Sequence, residues 1–180
     1  MPSIKDIYGF KPKKKVFLDK FSKQLCGKYR KGHFRGVLNV VNRFLDIIKP
    51  KKLFMGKKDF QQLYLVKKHI IKRKINTKIV ECETIREKNG VACSSRNYRL
   101  NLRDKKVASK IYFYFKKIKQ KFNYYNPNLL KKEIIKLGAD KIDYIQFYNI
   151  KDFKRSKKFN KYTRIFIAYY LNKVRLIDNI

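Results

Sequence analysis

Acidic side chains are scarce in this 180-residue chain: 13 Asp and Glu stand against 48 Lys and Arg, a formal net charge of +35. Cysteine is scarcer still, with Cys26, Cys82 and Cys93 odd in number and far apart. That argues against a disulfide scaffold and suits a reducing compartment. With only His33 and His69 beside them, the Cys and His are too few and too scattered for tetrahedral spacing, so no metal centre is expected. No apolar run approaches the ~18 residues of a membrane span. The first fifteen residues lack the apolar h-region of a secretory signal, so a cytoplasmic location is expected. What is present is 44% hydrophobic and 15% aromatic residues, enough to bury a core. The length fits one domain or two small ones.

The charge invites a nucleic-acid reading, since clustered lysines release counterions from a phosphate backbone. Its distribution argues against it. Only 11 of the 48 basic residues are Arg, the better base reader and phosphate clamp, and the 37 Lys are spread through almost every segment. Lys, Asn, Ile, Phe and Tyr all have A/T-rich codons, so a biased genome would produce this composition whatever the protein does. Charge alone leaves the function open.

Along the chain, residues 1–32 read as basic loop punctuated by Gly9, Pro12, Gly27 and Gly32, with one short helix near 19–25. From 34 to 48, Val37, Val40, Val41, Phe44, Leu45 and Ile48 recur at helical steps and Pro50 stops them. The run 52–55 (KLFM), closed by Gly56, predicts a buried parallel strand. Asp59 stands at an N-cap position, and Phe60, Leu63, Val66, Ile70 and Ile71 predict a second helix. Residues 78–82 (KIVEC) predict a second strand. This alternation is a piece of a βαβ sheet. After Arg86 comes a polar stretch with neither period, then a long helix over about 104–122 and a shorter one from Pro127 to Gly138. Strands are expected at 142–148, 164–171 and 174–177. The expected fold class is α/β, with a parallel sheet in 1–85 and a small α+β domain in 86–180.

Three local sequences carry chemistry. In MGKKDFQQL (55–63), Gly56 is expected to let the backbone turn off the strand end, where open α/β sheets hold ligands. Lys58 offers charge to a phosphate, the Asp59 carboxylate can accept ribose hydroxyls, and Gln62 points to the same side one helical turn on. A plainer alternative is that Asp59 caps the helix and both lysines are solvated. In REKNGVACSSRN (86–97), Ser94, Ser95 and Arg96 put two hydroxyls and a guanidinium behind a flexible Asn89-Gly90, a workable polyphosphate grip or a polar surface turn. The third is CGKYRKGHFRGV (26–37), where His33 either caps the following helix or touches a ligand. His69, on a lysine-rich helix, is expected to be exposed.

In order, the LCG-K-x-R-x-G-HF-x-GV stretch at 25–37, the G-x-KD-F-QQL block at 56–63, the RE-x-x-G-V-A-x-SSRN block at 86–97 and VRLIDN at 174–179 resemble the pantoate–β-alanine ligase (pantothenate synthetase) family. The likeness runs through the family's C-terminal two thirds. It implies a partial Rossmann-like, nucleotidylyltransferase-type parallel sheet followed by an α+β lid domain with an antiparallel sheet. It also implies ATP-dependent condensation of pantoate with β-alanine through a pantoyl adenylate, with Mg²⁺ accompanying ATP and a homodimeric assembly. Carried over by motif, Gly56, Lys57, Lys58 and Asp59 would line the ATP site, with Lys58 on phosphate and Asp59 on ribose. Gln62 would bind pantoate, and Ile85 would lie on the adenine side. Cys93, Ser94, Ser95 and Arg96 would form a mobile phosphate loop; Lys58, Ser94, Ser95 and Arg96 are the catalytic candidates.

Departures accompany the likeness. The family carries a His-x-Gly-His motif upstream of these blocks, which His33 and His69 cannot form. The expectation is therefore a fragment or split form, with a separately encoded N-terminal half as a possible partner. Lys57 stands where the family has Glu, Asn89 where it has Asp, and Cys93 where it has Met or Leu. A nucleic-acid-binding protein and a catalytically inactive remnant are the alternatives; nucleic acid is disfavoured because it leaves Asp59, Gln62 and SSRN unexplained.

Overall fold

Strand β1 (Lys52–Gly56) runs parallel to β2 (Lys78–Cys82), Lys52 opposite Lys78 and Gly56 opposite Cys82. This sheet belongs to the first of two compact units, Met1–Glu83 and Thr84–Ile180. The computed structural model describes residues 3, 5, 16–121, 126–156 and 159–180. Gly9, Pro12 and most of the loop expected before Val16 lie outside them, as does Phe122, the expected end of the long helix.

In the first unit, helices α1 (His33–Ile48) and α2 (Phe60–Lys72) cover one face of the sheet. Leu38 and Leu45 of α1 meet Val66 and Ile70 of α2, and Leu53, Met55 and Ile79 reach them from the strands. The period-2 alternation explains the choice: Leu53 and Met55 point inward while Phe54, on the other face, is 65% exposed. The buried row of α1 is Phe34, Leu38, Asn42 and Leu45, rotated from the expected stripe; Phe44 and Ile48 are exposed. Ile71 likewise leaves the core of α2. Both helices are apolar over an arc wide enough that periodicity alone does not choose the buried edge. Lys49 ends α1 in the left-handed region and Pro50 follows. Between 19 and 25 a single 3-10 turn forms, Lys20–Lys23, capped by Asp19, and Cys26–Tyr29 adds one helical turn.

The second unit is an antiparallel meander of β3 (Lys141–Asn149), β4 (Thr163–Leu171) and β5 (Val174–Asn179), with β4 central. Helices α3 (Leu102–Lys121) and α4 (Pro127–Lys136) supply Ile111, Phe115, Leu130 and Ile134 to a core shared with Ile165, Ile167 and Leu171. Fully burying a side chain such as Phe115 or Ile134 contributes about 1.5–3 kcal/mol. Asn126 caps α4 by accepting from the Asn128 and Leu129 amides, with Pro127 at the first helical position. The α/β class, with a parallel and a separate antiparallel sheet, is as expected.

Candidate functional site

In the first unit the chain leaves the C-terminal end of β1 through a short 3-10 turn, Lys57–Asp59, and enters α2. The turn does not use glycine's freedom. Gly56 sits at φ −71°, ordinary extended backbone, so the expected sharp glycine turn is corrected to a continuous strand-to-helix transition. A Cβ on Gly56 would meet nothing within 4 Å. Asp59 occupies the N-cap position without capping: no side-chain bond closes the helix start, and its Oδ2 accepts from Lys58 Nζ at 3.3 Å. This pair stands where ligands bind in open α/β sheets, outside the carboxyl end of a parallel strand. Lys57 is ion-paired with Glu83 just beyond the end of β2. A lysine where the family has a carboxylate therefore finds its countercharge within this unit. Gln62 is half-buried one turn beyond Lys58, and no described residue holds its amide.

Its neighbour Gln61, which sequence reasoning passed over, is buried and fully engaged. Its Oε1 accepts from the Cys26 amide at 3.1 Å, and its Nε2 donates to the carbonyls of Phe21 and Gln24, both at 2.8 Å. One side chain thus pins the segment before α1 to the first turn of α2. His69 is corrected too: it is wholly buried rather than exposed. Nδ1 accepts the Phe17 amide at 3.1 Å, so Nε2 carries the proton and donates to Asn42 Oδ1 at 2.9 Å. Asn42 in turn donates to Asp46 at 3.0 Å. Burial first, then the Arg73 charge, lowers the His69 pKa against a smaller opposing pull from Asp46. His33 opens α1 without capping it; Arg30 Nη1 donates to its Nε2 at 2.9 Å.

In the second unit, residues 85–93 fold back on themselves. Cys93 N donates to Ile85 O at 2.9 Å, Arg86 and Ala92 form an antiparallel bridge, and Gly90 N closes a turn onto Glu87 O at 2.8 Å. Gly90 lies at φ +84°, and a Cβ there would come within 2.3 Å of the Tyr112 ring. The Asn89-Gly90 pair, expected to be flexible, is a tightly held turn, with Asn89 O accepting from Ser109 Oγ at 2.7 Å and Asn89 Oδ1 from the Val91 amide at 3.0 Å.

Ser94 caps the 3-10 turn Ser95–Arg99 by accepting the Arg96 amide at 3.2 Å. Ser95 and Cys93 are exposed, and Cys93 is a free thiol. Arg96 donates one Nη1 bond at 3.3 Å to the Arg175 carbonyl of β5. Ile85 is 75% exposed. The structure thus brings Gly56, Lys57, Lys58, Asp59 and Gln62 together in the first unit. It brings Ile85, Cys93, Ser94, Ser95 and Arg96 together in the second. Asn97, buried between Glu87 Oε1 at 2.6 Å and Ala92 O at 3.0 Å, locks the base of that turn.

Comparison with known proteins points one way. The family model described as Pantoate-beta-alanine ligase matches residues 1–180. A pantothenate synthetase from Flavobacterium psychrophilum is 39% identical over 187 residues, covering 99% of this chain and 66% of the relative. One from Francisella tularensis subsp. mediasiatica is 40% identical over 184 residues, covering 99% and 62%. Among solved structures, a Francisella tularensis pantoate–β-alanine ligase described as complexed with β,γ-ATP and β-alanine aligns with a TM-score of 0.75 at 40% identity. That alignment covers 98% of this chain and 61% of the other. A Thermus thermophilus pantothenate synthetase aligns at TM-score 0.88 and 26% identity, covering 99% and 67%. The chain spans less than two thirds of the length of the sequence relatives it matches, 66% of one and 62% of the other.

Proposed function

The chain belongs to the pantoate–β-alanine ligase family, and from that membership we propose that its residues serve the ATP-dependent joining of pantoate to β-alanine in the cytoplasm. The pantoate carboxylate attacks the α-phosphorus of ATP and pyrophosphate leaves. The amine of β-alanine then attacks the acyl carbon of the pantoyl adenylate, loses a proton and expels AMP. Little covalent chemistry falls to the protein; positioning and charge stabilisation carry the rate.

The observation that carries this reading is the Lys58–Asp59 pair at the carboxyl end of a parallel strand. Lys58 gives its charge to phosphate oxygens, exchanging its 3.3 Å contact with Asp59 for the nucleotide, and Asp59 is left to accept the ribose hydroxyls. Gly56, with open space above its Cα, lets the nucleotide approach the backbone, and Lys57, its charge paired with Glu83, borders the site. Gln62, unheld by any described residue, hydrogen-bonds pantoate. Ile85 offers an exposed apolar face to adenine. The backbone and side chains of Cys93, Ser94, Ser95 and Arg96 take phosphate oxygens, Arg96 releasing its single carbonyl bond to do so.

ATP and β-alanine as ligands are supported by the complex described for the Francisella tularensis enzyme. Mg²⁺ enters with ATP as part of that substrate. Among the described residues no group of three His, Cys, Asp or Glu could hold a metal. We infer a homodimer, as in the family. The His-x-Gly-His segment comes from a further stretch of polypeptide, on this chain or another.

The test is direct. The chain is incubated with ATP, pantoate and β-alanine, alone and with a polypeptide carrying that histidine segment, and products are identified by mass spectrometry. Pantothenate and AMP in equal amounts are expected with the segment supplied. ADP in place of AMP, or no pantothenate under either condition, contradicts the reading.

A further inference from the structure

A cleft of about 240 Å³ opens in the first unit beside the start of α1. Four cations line it, Lys23, Arg30, Lys31 and Arg35, together with His33, over an apolar floor that includes Leu18 and Phe34. No carboxylate is among the lining residues. Among the described residues none of the four cations is ion-paired. Arginine is the minor cation of this chain, 11 against 37 Lys, yet two of the four arginines before residue 84 face this one cleft.

The walls are built rather than draped. Gln61, 6% exposed, fixes three backbone groups of the segment before α1. Gly27 packs so closely that a Cβ would fall 1.7 Å from Ser22 O. Arg30 Nη1 donates to His33 Nε2, which sets the His33 tautomer with its proton on Nδ1 and leaves most of the guanidinium fork unused. The first turn of α1 adds no acidic residue and no side-chain cap, so its positive end is unopposed. All four cations are exposed around one concave opening, where like charges repel one another and an anion relieves that cost.

We propose that this cleft is an oxyanion site that takes a compact carboxylate or phosphate group, gripped by Arg30 and Arg35 with Lys23 and Lys31 around it. The planar forks of the two arginines suit the paired oxygens of either group. Lys58 is not among the residues that line it. Its choice of probe rests on the ligase reading, which supplies one ligand of each kind: β-alanine as a carboxylate, and pyrophosphate.

Isothermal titration calorimetry of the full chain with inorganic pyrophosphate and, separately, with β-alanine tests this at one fixed physiological ionic strength. The variants are Arg30→Gln/Arg35→Gln and the milder Arg35→Gln. The control is Lys131→Gln, an exposed charge on α4, and thermal melts verify folding. The expected result is at least tenfold weaker binding of one probe in the double variant, a smaller loss in Arg35→Gln and none in the control. Loss confined to pyrophosphate identifies a phosphate site; loss confined to β-alanine identifies a carboxylate site. Equal weakening by Lys131→Gln, unchanged affinity in the double variant, or no binding of either probe by the parent chain overturns the proposal. A Lys58→Gln arm separates the two readings. ATP binding lost there, with pyrophosphate and β-alanine binding intact in Arg30→Gln/Arg35→Gln, removes the cleft and leaves the ligase assignment standing.

Discussion

Arg86 holds Asp178 across 92 residues of sequence, Nη1 donating to Oδ2 at 2.7 Å and Nη2 to Oδ1 at 3.0 Å. The same guanidinium donates to Gly90 O at 3.0 Å and lies 4.3 Å from the centroid of the Tyr112 ring. Burial opposes the charge, and the hydrogen bonds and charge of Asp178, with smaller help from Tyr112 and Tyr169, together outweigh it, so the net pKa shift is upward. Two stretches that motif reading treated separately, 86–97 and 174–179, are therefore one physical device. The terminal strand anchors the turn that presents Ser94, Ser95 and Arg96, through Asp178 at one end and the Arg175 carbonyl at the other.

That anchoring makes Gly90 sensitive. Alanine there must hold φ +84°, costing about 1–2 kcal/mol, and its Cβ must displace the Tyr112 ring. Gly90→Ala is expected to lower the melting temperature and weaken ATP binding together. Adding Tyr112→Ala relieves the clash but not the backbone strain, so the double variant recovers only part of the loss in a thermal melt.

The pair Arg175–Asp143, at 2.7 Å, lies deeper, with the Asp143 side chain 2% exposed. Removing one partner leaves a buried charge alone, so Asp143→Ala is expected to cost about 3 kcal/mol in urea unfolding. Replacing both with apolar side chains of similar volume (Asp143→Leu/Arg175→Met) should restore most of it.

His69 predicts an acid limit. Its pKa is lowered on folding, so the unfolded chain binds the extra proton first as pH falls. The stability it supplies is complete above its ordinary value of 6.5 and is lost as pH drops from there through the lowered folded-state value. Unfolding free energies at descending pH should show this loss in the parent chain and in a His33→Gln control. In His69→Gln the decline should be absent.

Much of the fold was legible because its signals are local. Strand β2 and the start of α1 follow from period, and the start of α4 from Pro127, all within a few positions. What sequence reading missed is long-range. His69 beside Lys67 and Lys68 reads as solvated, and only the packing of α2 brings it against Asn42 and the Phe17 amide. Gln61 and Gln62 are indistinguishable as letters; one turns inward to bind backbone 35–40 residues away, the other stays half-open. Asn89-Gly90 has the composition of a loose turn, and the rigidity comes from Ser109 and Tyr112 on another helix. The candidate site residues come from motif order alone; that Asp178 and the Arg175 carbonyl hold the turn bearing three of them is visible only in the fold.

The claim on which the account depends is that Lys58 and Arg96 stabilise adenylation of a carboxylate. Pantoate-dependent exchange of labelled pyrophosphate into ATP, measured with the histidine-bearing segment supplied, tests it most directly. The account predicts exchange that requires pantoate and falls about 10²–10³-fold in Lys58→Gln and in Arg96→Gln. Exchange at parent rates in both variants, or none in the parent chain, would contradict it.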